Sequence, residues 1–222
     1  MNPRKRTDRT WLAGSSIPWP TFRRTADPLP SGVVFRAPGL GLVAGHLAGA
    51  RNPDILDLGS PCTANVEYLS QFSCVLHIED ISRVLADEPE MREPEEERDV
   101  DGIVERLVEY EEDLRFDAIF VWDLLDYIDP EISRALMRRL GHHCRTGTLL
   151  YLMTSNEETI PDAPGRFTIV DELHLRFERL STGTRSGMRH SPRGLERIMP
   201  GFRMQHSFLL RYQLQDYLFS HV

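Results

Sequence analysis

The stretch of residues 54–69 constrains the fold of this chain more than any other. It begins with a short apolar run at 55–58, continues through a turn that contains Gly59, and ends in a segment with apolar residues at helical spacing. A strand, a glycine-bearing turn and a helix start are typical of the first unit of a doubly wound α/β sheet. Ligands of such sheets bind beyond the carboxyl ends of the strands, where this turn would lie. The stretch therefore predicts a site for a nucleotide-like ligand.

The rest of the chain continues the alternation of strands and helices. No convincing strand is found between the second and the next parallel strand, where such a sheet usually has one. Residues 155–166 are expected to form a loop, and the Gly- and Ser-rich residues 181–190 a mobile loop. The predicted helices lie at 39–50, from 82, from 100 to about 114, from Pro130 and from Pro192, and the predicted strands at 74–78, 116–122, 147–154, 173–177, 202–210 and 214–219.

The predicted fold class is α/β. We expect a doubly wound, mostly parallel Rossmann-like sheet that ends in a C-terminal antiparallel hairpin. With 222 residues, of which 41% are hydrophobic, the chain can build one sizeable core. We assign residues 39–222 to this domain and residues 1–38, which are rich in proline and arginine, to a basic N-terminal arm.

Charge is distributed unevenly along the chain. Residues 87–113 hold 14 acidic residues and three arginines, a net charge of −11, so that the remainder carries +3 of the total of −8. The acidic segment is either a solvated surface or a docking surface for a basic protein partner. The arm, with aromatic residues among its arginines, either packs on its own domain or contacts nucleic acid; we favour the first, so a nucleic acid partner is not expected.

Several classes of protein are disfavoured by what the sequence lacks. The three cysteines have no zinc-like spacing and their number is odd, which favours a reducing, cytoplasmic compartment. The basic N-terminus has no apolar segment of a secretory signal, and no run of about 18 apolar residues indicates a membrane span. The histidines form no metal-binding pattern, and neither a G-x-S-x-G elbow nor a P-loop occurs.

Four segments, in their order and spacing, resemble the class I S-adenosylmethionine-dependent methyltransferase superfamily. Residues 55–59, Ile-Leu-Asp-Leu-Gly, look like its cofactor motif, and 78–82, Ile-Glu-Asp-Ile-Ser, like the acidic end of its second strand. Residues 116–128 are similar to its fourth strand and the following turn, and 191–202 to its last helix and the start of the sixth strand. The resemblance covers roughly residues 40–222.

The resemblance implies S-adenosylmethionine as the cofactor and methyl transfer to an acceptor that the sequence does not identify. The glycine turn would hold the cofactor, and an acid at the end of the second strand would bind the ribose hydroxyls, Asp80 before Glu79. Two residues after the fourth strand would lie near the methyl group. The implied cofactor-binding residues are Asp57, Gly59, Ser60, Glu79 and Asp80, and the implied catalytic residues are Asp123 and Tyr127.

The chain departs from the family pattern in the turn itself. Two positions that usually hold glycine are Pro61 and Thr63, which remove a backbone donor and add a branched side chain. Two hypotheses therefore stand side by side. The chain is either a methyltransferase-like enzyme or a non-catalytic interaction or regulatory protein on the same fold, with a filled or narrowed cofactor cleft. For the residues after the fourth strand, the alternative to a role near the substrate is that Asp126 or Asp129 caps the next helix and Tyr127 only packs.

Overall fold

A computed structural model describes residues 29–87 and 98–222 of the chain. Apolar runs form the strands, and capped amphipathic segments form the helices; Asp129, for example, caps the helix that begins at Pro130 and accepts a hydrogen bond from Glu131 N–H. The elements are β1 (Val34–Arg36), α1 (Pro38–Gly49), β2 (Asp54–Asp57), α2 (Thr63–Ser70), β3 (Val75–Ile78), α3 (Ile81–Asp87), α4 (Val100–Leu107), β4 (Phe116–Trp122), α5 (Pro130–His142), β5 (Cys144–Ser155), β6 (Thr159–Pro161), β7 (Arg166–Asp171), β8 (His174–Glu178), β9 (Thr184–Ser186), α6 (Pro192–Ile198), β10 (Phe202–Leu209) and β11 (Leu214–His221).

A six-stranded sheet forms the centre of the domain, in the order β10-β11-β5-β4-β2-β3. The strands from β3 to β5 pair in parallel, whereas β11 is antiparallel to β5 and β10 is antiparallel to β11. Because β2, β3, β4 and β5 run parallel to one another, their carboxyl ends all lie at the same edge of the sheet. The predicted fold class is confirmed.

Helices cover both faces of this sheet, as a doubly wound fold requires. On one face, α3, α4, α5 and α6 pack on β4 and β5 around Phe116, Ile119 and Leu150. On the other face, α1 and α2 share the core with a second sheet, β1-β8-β7, which we call the cap sheet. The cap sheet lies over the side of the domain where the Gly59 turn is.

The gap that the sequence indicates after the second strand is present in the structure. Between β3 and β4, residues 79–87 and 98–115 form helices and turns but no strand. Helix α4 ends at Leu107, whereas the apolar stripe in the sequence predicted a helix that continues to about Leu114. The acidic residues 109–113 follow the C-terminus of α4. Negative charge is unfavourable at that end of a helix dipole, which accounts for the early end.

The predictions of two loops, at 155–166 and 181–190, are wrong in part. Residues 155–166 and 181–190 contribute β6 and β9, which pair with each other antiparallel, and β7 begins at Arg166. The residues of β9 are all exposed, so no alternation of polar and apolar residues marks the strand; only the backbone pairing with β6 forms it. In β7, by contrast, Phe167 and Ile169 are buried on either side of Thr168, a period-two pattern that the prediction missed.

The proposed arm and the acidic segment each lie partly outside the described residues. Residues 1–28 and 88–97, including the Glu93–Glu97 run, lie outside the described residues. Val34–Arg36, which we assigned to the arm, pairs with β8 and buries Phe35 in the core. Across 29–87 and 98–222, no helix is long and apolar enough to cross a membrane.

Candidate functional site

Two adjoining spaces open at the carboxyl ends of the parallel strands. A narrow cleft lies beside Gly59, with a volume of only about 20 Å³. A cavity of about 1020 Å³ lies beyond the ends of β4 and β5. Asp123 and Phe167 line both spaces, so the cleft and the cavity meet at these two side chains.

The carboxylate of Asp57, at the end of β2, is hydrogen-bonded to two residues that line the cleft, Gly59 and Trp122. Its Oδ1 accepts hydrogen bonds from Gly59 N–H, at 2.9 Å, and from the indole Nε1–H of Trp122, at 2.6 Å. Asp57 is buried, which raises the pKa of its carboxyl group, while the two hydrogen bonds oppose that rise. Asp57 therefore holds the glycine turn and the end of β4 together.

The indole of Trp122 fills the space directly above Gly59. A Cβ added at Gly59 would lie 2.7 Å from Trp122 Cδ1, so only glycine allows the indole to come so close. The indole stacks between Phe120 and Phe167, with ring-centre distances of 5.2 and 6.0 Å. Trp122 has φ +54°, a left-handed conformation that is rare for a bulky residue, and the β4–β5 register shifts at this point. The end of β4 thus turns the side chain into the cleft.

A second acid, Asp80, follows β3 on the other side of the turn. Its Oδ2 accepts a hydrogen bond from Ser60 Oγ at 3.0 Å, and its Oδ1 accepts one from Ser82 Oγ at 3.1 Å. The neighbouring Glu79 is directed elsewhere, since its Oε1 accepts from Tyr110 O–H at 3.5 Å. Of the two acids proposed to bind the ribose, Asp80 is therefore the one that is hydrogen-bonded to the glycine turn, through Ser60.

The cap sheet closes the cleft from above, at the start of α2. The side chain of Asn65 donates to Phe167 O at 2.9 Å and accepts from Ile169 N–H at 2.8 Å, so that it pairs with β7 as a strand would. Cys62 Sγ lies 3.6 Å from Thr168 Oγ1. These contacts fix β7 across the first turn of α2, where an anion would otherwise meet free backbone N–H groups.

The cavity has carboxyl groups on its inner wall. Asp123 is 7% exposed, and Gly165 N–H lies 3.4 Å from its Oδ2. Burial, together with the nearby carboxylate of Asp126, raises the pKa of Asp123 to about 8. Asp126 Oδ2 accepts from Ser155 N–H at 2.7 Å, and His190 Nε2 lies 3.3 Å from its Oδ1. Burial and the neighbouring acid thus favour the protonated form of the Asp123 carboxyl group at neutral pH.

Tyr127 also lines the cavity, next to the two acids. The guanidinium of Arg185 lies 5.9 Å from the centre of its ring, and Arg185 Nη1–H donates to Tyr127 O. Burial and the nearby carboxylates of Asp123 and Asp126 raise the pKa of its phenol. Tyr127 is therefore neutral, a donor or acceptor of a hydrogen bond at the wall of the cavity.

The structure brings most of the proposed residues into one region. Asp57, Gly59, Ser60 and Asp80 surround the turn, and Asp123 and Tyr127 lie in the adjoining cavity, whereas Glu79 is turned away. Asp126 is a residue of the cavity, and Asp129 alone caps α5. Sequence reasoning missed four contributors, because no pattern of residue types gives them a role in the site: Asn65, Trp122, Phe167 and His190.

The cofactor that the resemblance implies does not fit the cleft as its side chains lie. The polar groups are suitable, since Asp57 and Asp80 present carboxylates on either side of the glycine turn. The space is too small, because the cleft volume of about 20 Å³ is far below the roughly 300 Å³ of even a small ligand pocket. Trp122 and Phe167 line this narrow cleft, whereas Pro61 and Thr63 are exposed and do not line it. Among the residues of 29–87 and 98–222, no group of acids, histidines and cysteines could hold a metal ion.

Searches among known proteins find similarity in structure alone. No protein-family model matches the chain, and no curated protein matches it. The chain is similar to a S-adenosylmethionine-dependent methyltransferase from Clostridium acetobutylicum ATCC 824, with 13% identity over 82% of this chain and 90% of the other and a TM-score of 0.47.

Two further solved structures show a likeness of the same order. One is the CcbJ methyltransferase from Streptomyces caelestis, with 13% identity over 83% of this chain and 94% of the other and a TM-score of 0.46. The other is the 1,6-didemethyltoxoflavin-N1-methyltransferase from Burkholderia thailandensis, with bound 1,6-didemethyltoxoflavin and S-adenosylhomocysteine. It has 15% identity over 83% of this chain and 77% of the other, with a TM-score of 0.47. Similarity at this level concerns the architecture.

Proposed function

We propose that the protein is an S-adenosylmethionine-dependent methyltransferase of class I type, whose acceptor binds in the large cavity. The observation that supports this most is the meeting of cleft and cavity at Asp123 and Phe167. Two ligands held in these spaces would be neighbours, and the positioning of two reactants is the main contribution of a protein to a displacement reaction. S-adenosylmethionine, when bound, supplies the activated methyl group.

The residues around the glycine turn are the proposed cofactor-binding residues. Asp80 would accept hydrogen bonds from the ribose hydroxyls, in place of the one it now accepts from Ser60. Asp57 would accept a hydrogen bond from the ligand, in place of the hydrogen bond that it accepts from the Trp122 indole. Because Glu79 is turned towards Tyr110, we propose Asp80 rather than Glu79 for the ribose.

Asp123 is proposed to receive the proton that an acceptor N–H or O–H group loses. Only its carboxylate form can accept a proton, and with a pKa of about 8 this form is present as a fraction near neutral pH and increases as the pH rises. Tyr127 is proposed to hold the acceptor by a hydrogen bond. The proposed acceptor is a group with an N–H or O–H that enters the cavity of about 1020 Å³.

Isothermal titration calorimetry with S-adenosylmethionine and S-adenosylhomocysteine tests this proposal without an acceptor. We expect binding to the wild-type protein that Asp80→Asn weakens at least about tenfold, the factor for one hydrogen bond to a charged group. Glu196→Gln, which changes an exposed acid on α6, is the control and should leave the affinity unchanged. The absence of heat at millimolar ligand, both in the wild type and in a variant without the Trp122 indole, would refute the proposal.

A second candidate, a non-catalytic interaction protein on the same fold, is favoured by the small volume of the cleft. It would bind a basic protein partner through residues 87–113, the segment with a net charge of −11. Deletion of the Glu93–Glu97 run should then abolish capture of the partner from a cell extract. Unchanged capture by the deletion variant would exclude this mechanism.

The cytoplasm remains the proposed compartment for either function. All three cysteines, Cys62, Cys74 and Cys144, are free thiols, as is usual in a reducing environment.

A further inference from the structure

The side chain of Trp122 fills space in the cleft that a ligand would need. Its indole is 4% exposed, stacks between two aromatic rings and lies against the one residue of the turn that has no side chain. Its N–H group binds Asp57, the carboxylate that would otherwise be open to a ligand. The same side chain therefore takes both the space and the hydrogen-bond acceptor that an adenosyl ligand needs.

The cap sheet is too firmly packed to serve as the moving part. Its inward side chains are all 4% exposed or less and belong to the core around α1 and α2; they are Phe35, Phe167, Ile169, Leu175 and Phe177. Asn65 adds two hydrogen bonds that hold β7 on α2. Lifting this sheet would expose a large part of one core, whereas displacing Trp122 requires the movement of one residue at the end of a strand.

The backbone conformation of Trp122 favours such a movement. Its left-handed backbone conformation is one that a tryptophan adopts at a cost, so a rotation towards an extended conformation is favourable for its backbone. The residue that follows it, Asp123, already lines the cavity of about 1020 Å³, which offers room for a displaced indole.

We propose that Trp122 controls access to the Gly59 cleft: its indole closes the cleft in the free protein and leaves it when an adenosyl ligand binds. The inference rests on the proposed function and adds the residue that controls cofactor binding. Because the closed form must open before the ligand binds, the apparent affinity of the wild type is reduced by the fraction of open protein.

The first test compares the affinity for S-adenosylhomocysteine of wild type, Trp122→Gly and Trp122→Phe. We expect Trp122→Gly to bind at least about 30-fold more tightly, since the ligand no longer has to break the hydrogen bond to Asp57. Trp122→Phe, which keeps a ring in the cleft but lacks the N–H group, should fall between the two. Phe219→Ala, which removes a buried ring from the opposite face of the sheet, controls for general loosening and should bind as the wild type does.

The second test follows the indole itself. In a Trp11→Phe/Trp19→Phe background, Trp122 is the only tryptophan, and its fluorescence should resist acrylamide quenching in the free protein. Saturating S-adenosylhomocysteine should increase the quenching constant several-fold. Near-ultraviolet circular dichroism verifies that each variant is folded.

The outcomes separate this inference from the proposed function. Equal affinity of wild type and Trp122→Gly, or quenching that does not change at saturation, would overturn the role of Trp122 and leave cofactor binding intact. No binding by any of the variants would contradict both. Tighter binding by Trp122→Gly together with increased quenching in the wild type would support both.

Discussion

The buried carboxyl group of Asp123 should make the stability of the protein depend on pH in a specific direction. Its pKa in the folded protein, about 8, lies above the ordinary value of 3.8, so the unfolded chain loses this proton first as the pH rises. The free energy of unfolding should therefore fall between about pH 4 and pH 8. The Asn side chain in Asp123→Asn has nearly the same shape but does not ionise, which removes this loss.

The size of the effect follows from the difference between the two pKa values. At about 1.36 kcal/mol for each pKa unit, the full difference corresponds to an upper bound of roughly 6 kcal/mol. Relaxation around the carboxylate and the coupling to Asp126 reduce it, so we expect Asp123→Asn to gain about 2–4 kcal/mol over the wild type between pH 5 and pH 8.

Urea denaturation of both proteins at pH 5, 6, 7 and 8 measures this gain directly. Asp216 provides a comparison, because burial raises the pKa of its carboxyl group only to about 6. For Asp216→Asn, the difference from the wild type should therefore increase up to about pH 6 and then stay level. A difference between Asp123→Asn and the wild type that is the same at all four pH values would refute the argument that Asp123 is protonated in the folded protein.

Three substitutions test contacts that the account depends on. Asn65→Ala leaves two buried backbone groups of β7 without partners, so it should lower the free energy of unfolding by about 2–4 kcal/mol in urea denaturation and accelerate hydrogen exchange at Ile169. Gly59→Ala places a Cβ against the Trp122 indole and should lower the free energy of unfolding by about 1–3 kcal/mol. In a double-mutant cycle, most of this loss should disappear when Trp122→Gly is also present. An unchanged loss would mean that the contact is not the cause. Asp129→Ala removes the N-cap of α5 and should cost about 1 kcal/mol by the same denaturation, whereas a cost near zero would show that the cap is not needed.

The central sheet could be predicted because its information is local. The nearly continuous apolar run of β4 is what a strand buried on both faces requires, and the Asp129-Pro130 start of α5 satisfies the N-terminal donors of a helix. The position of Asp57, Gly59 and Asp80 around one turn follows from the parallel arrangement of β2 and β3, since their carboxyl ends lie side by side.

The closure of the cleft could not be predicted, because it depends on contacts between distant parts of the chain. Trp122 ends a strand, and nothing in its neighbourhood shows that its indole crosses to Asp57, 65 residues earlier. Asn65 pairs with residues more than 100 positions later. The sequence suggested Pro61 and Thr63 as the obstacles in the turn, whereas in the structure the Trp122 indole lies against Gly59 and Phe167 lines the same cleft.

The most direct test of the account is a crystal structure of the wild-type protein grown with S-adenosylhomocysteine. We expect the nucleoside beside Gly59, its ribose hydroxyls within hydrogen-bond distance of the Asp80 carboxylate, and the indole of Trp122 displaced from Asp57. Ligand density confined to the large cavity, with the indole still bound to Asp57, would contradict the account.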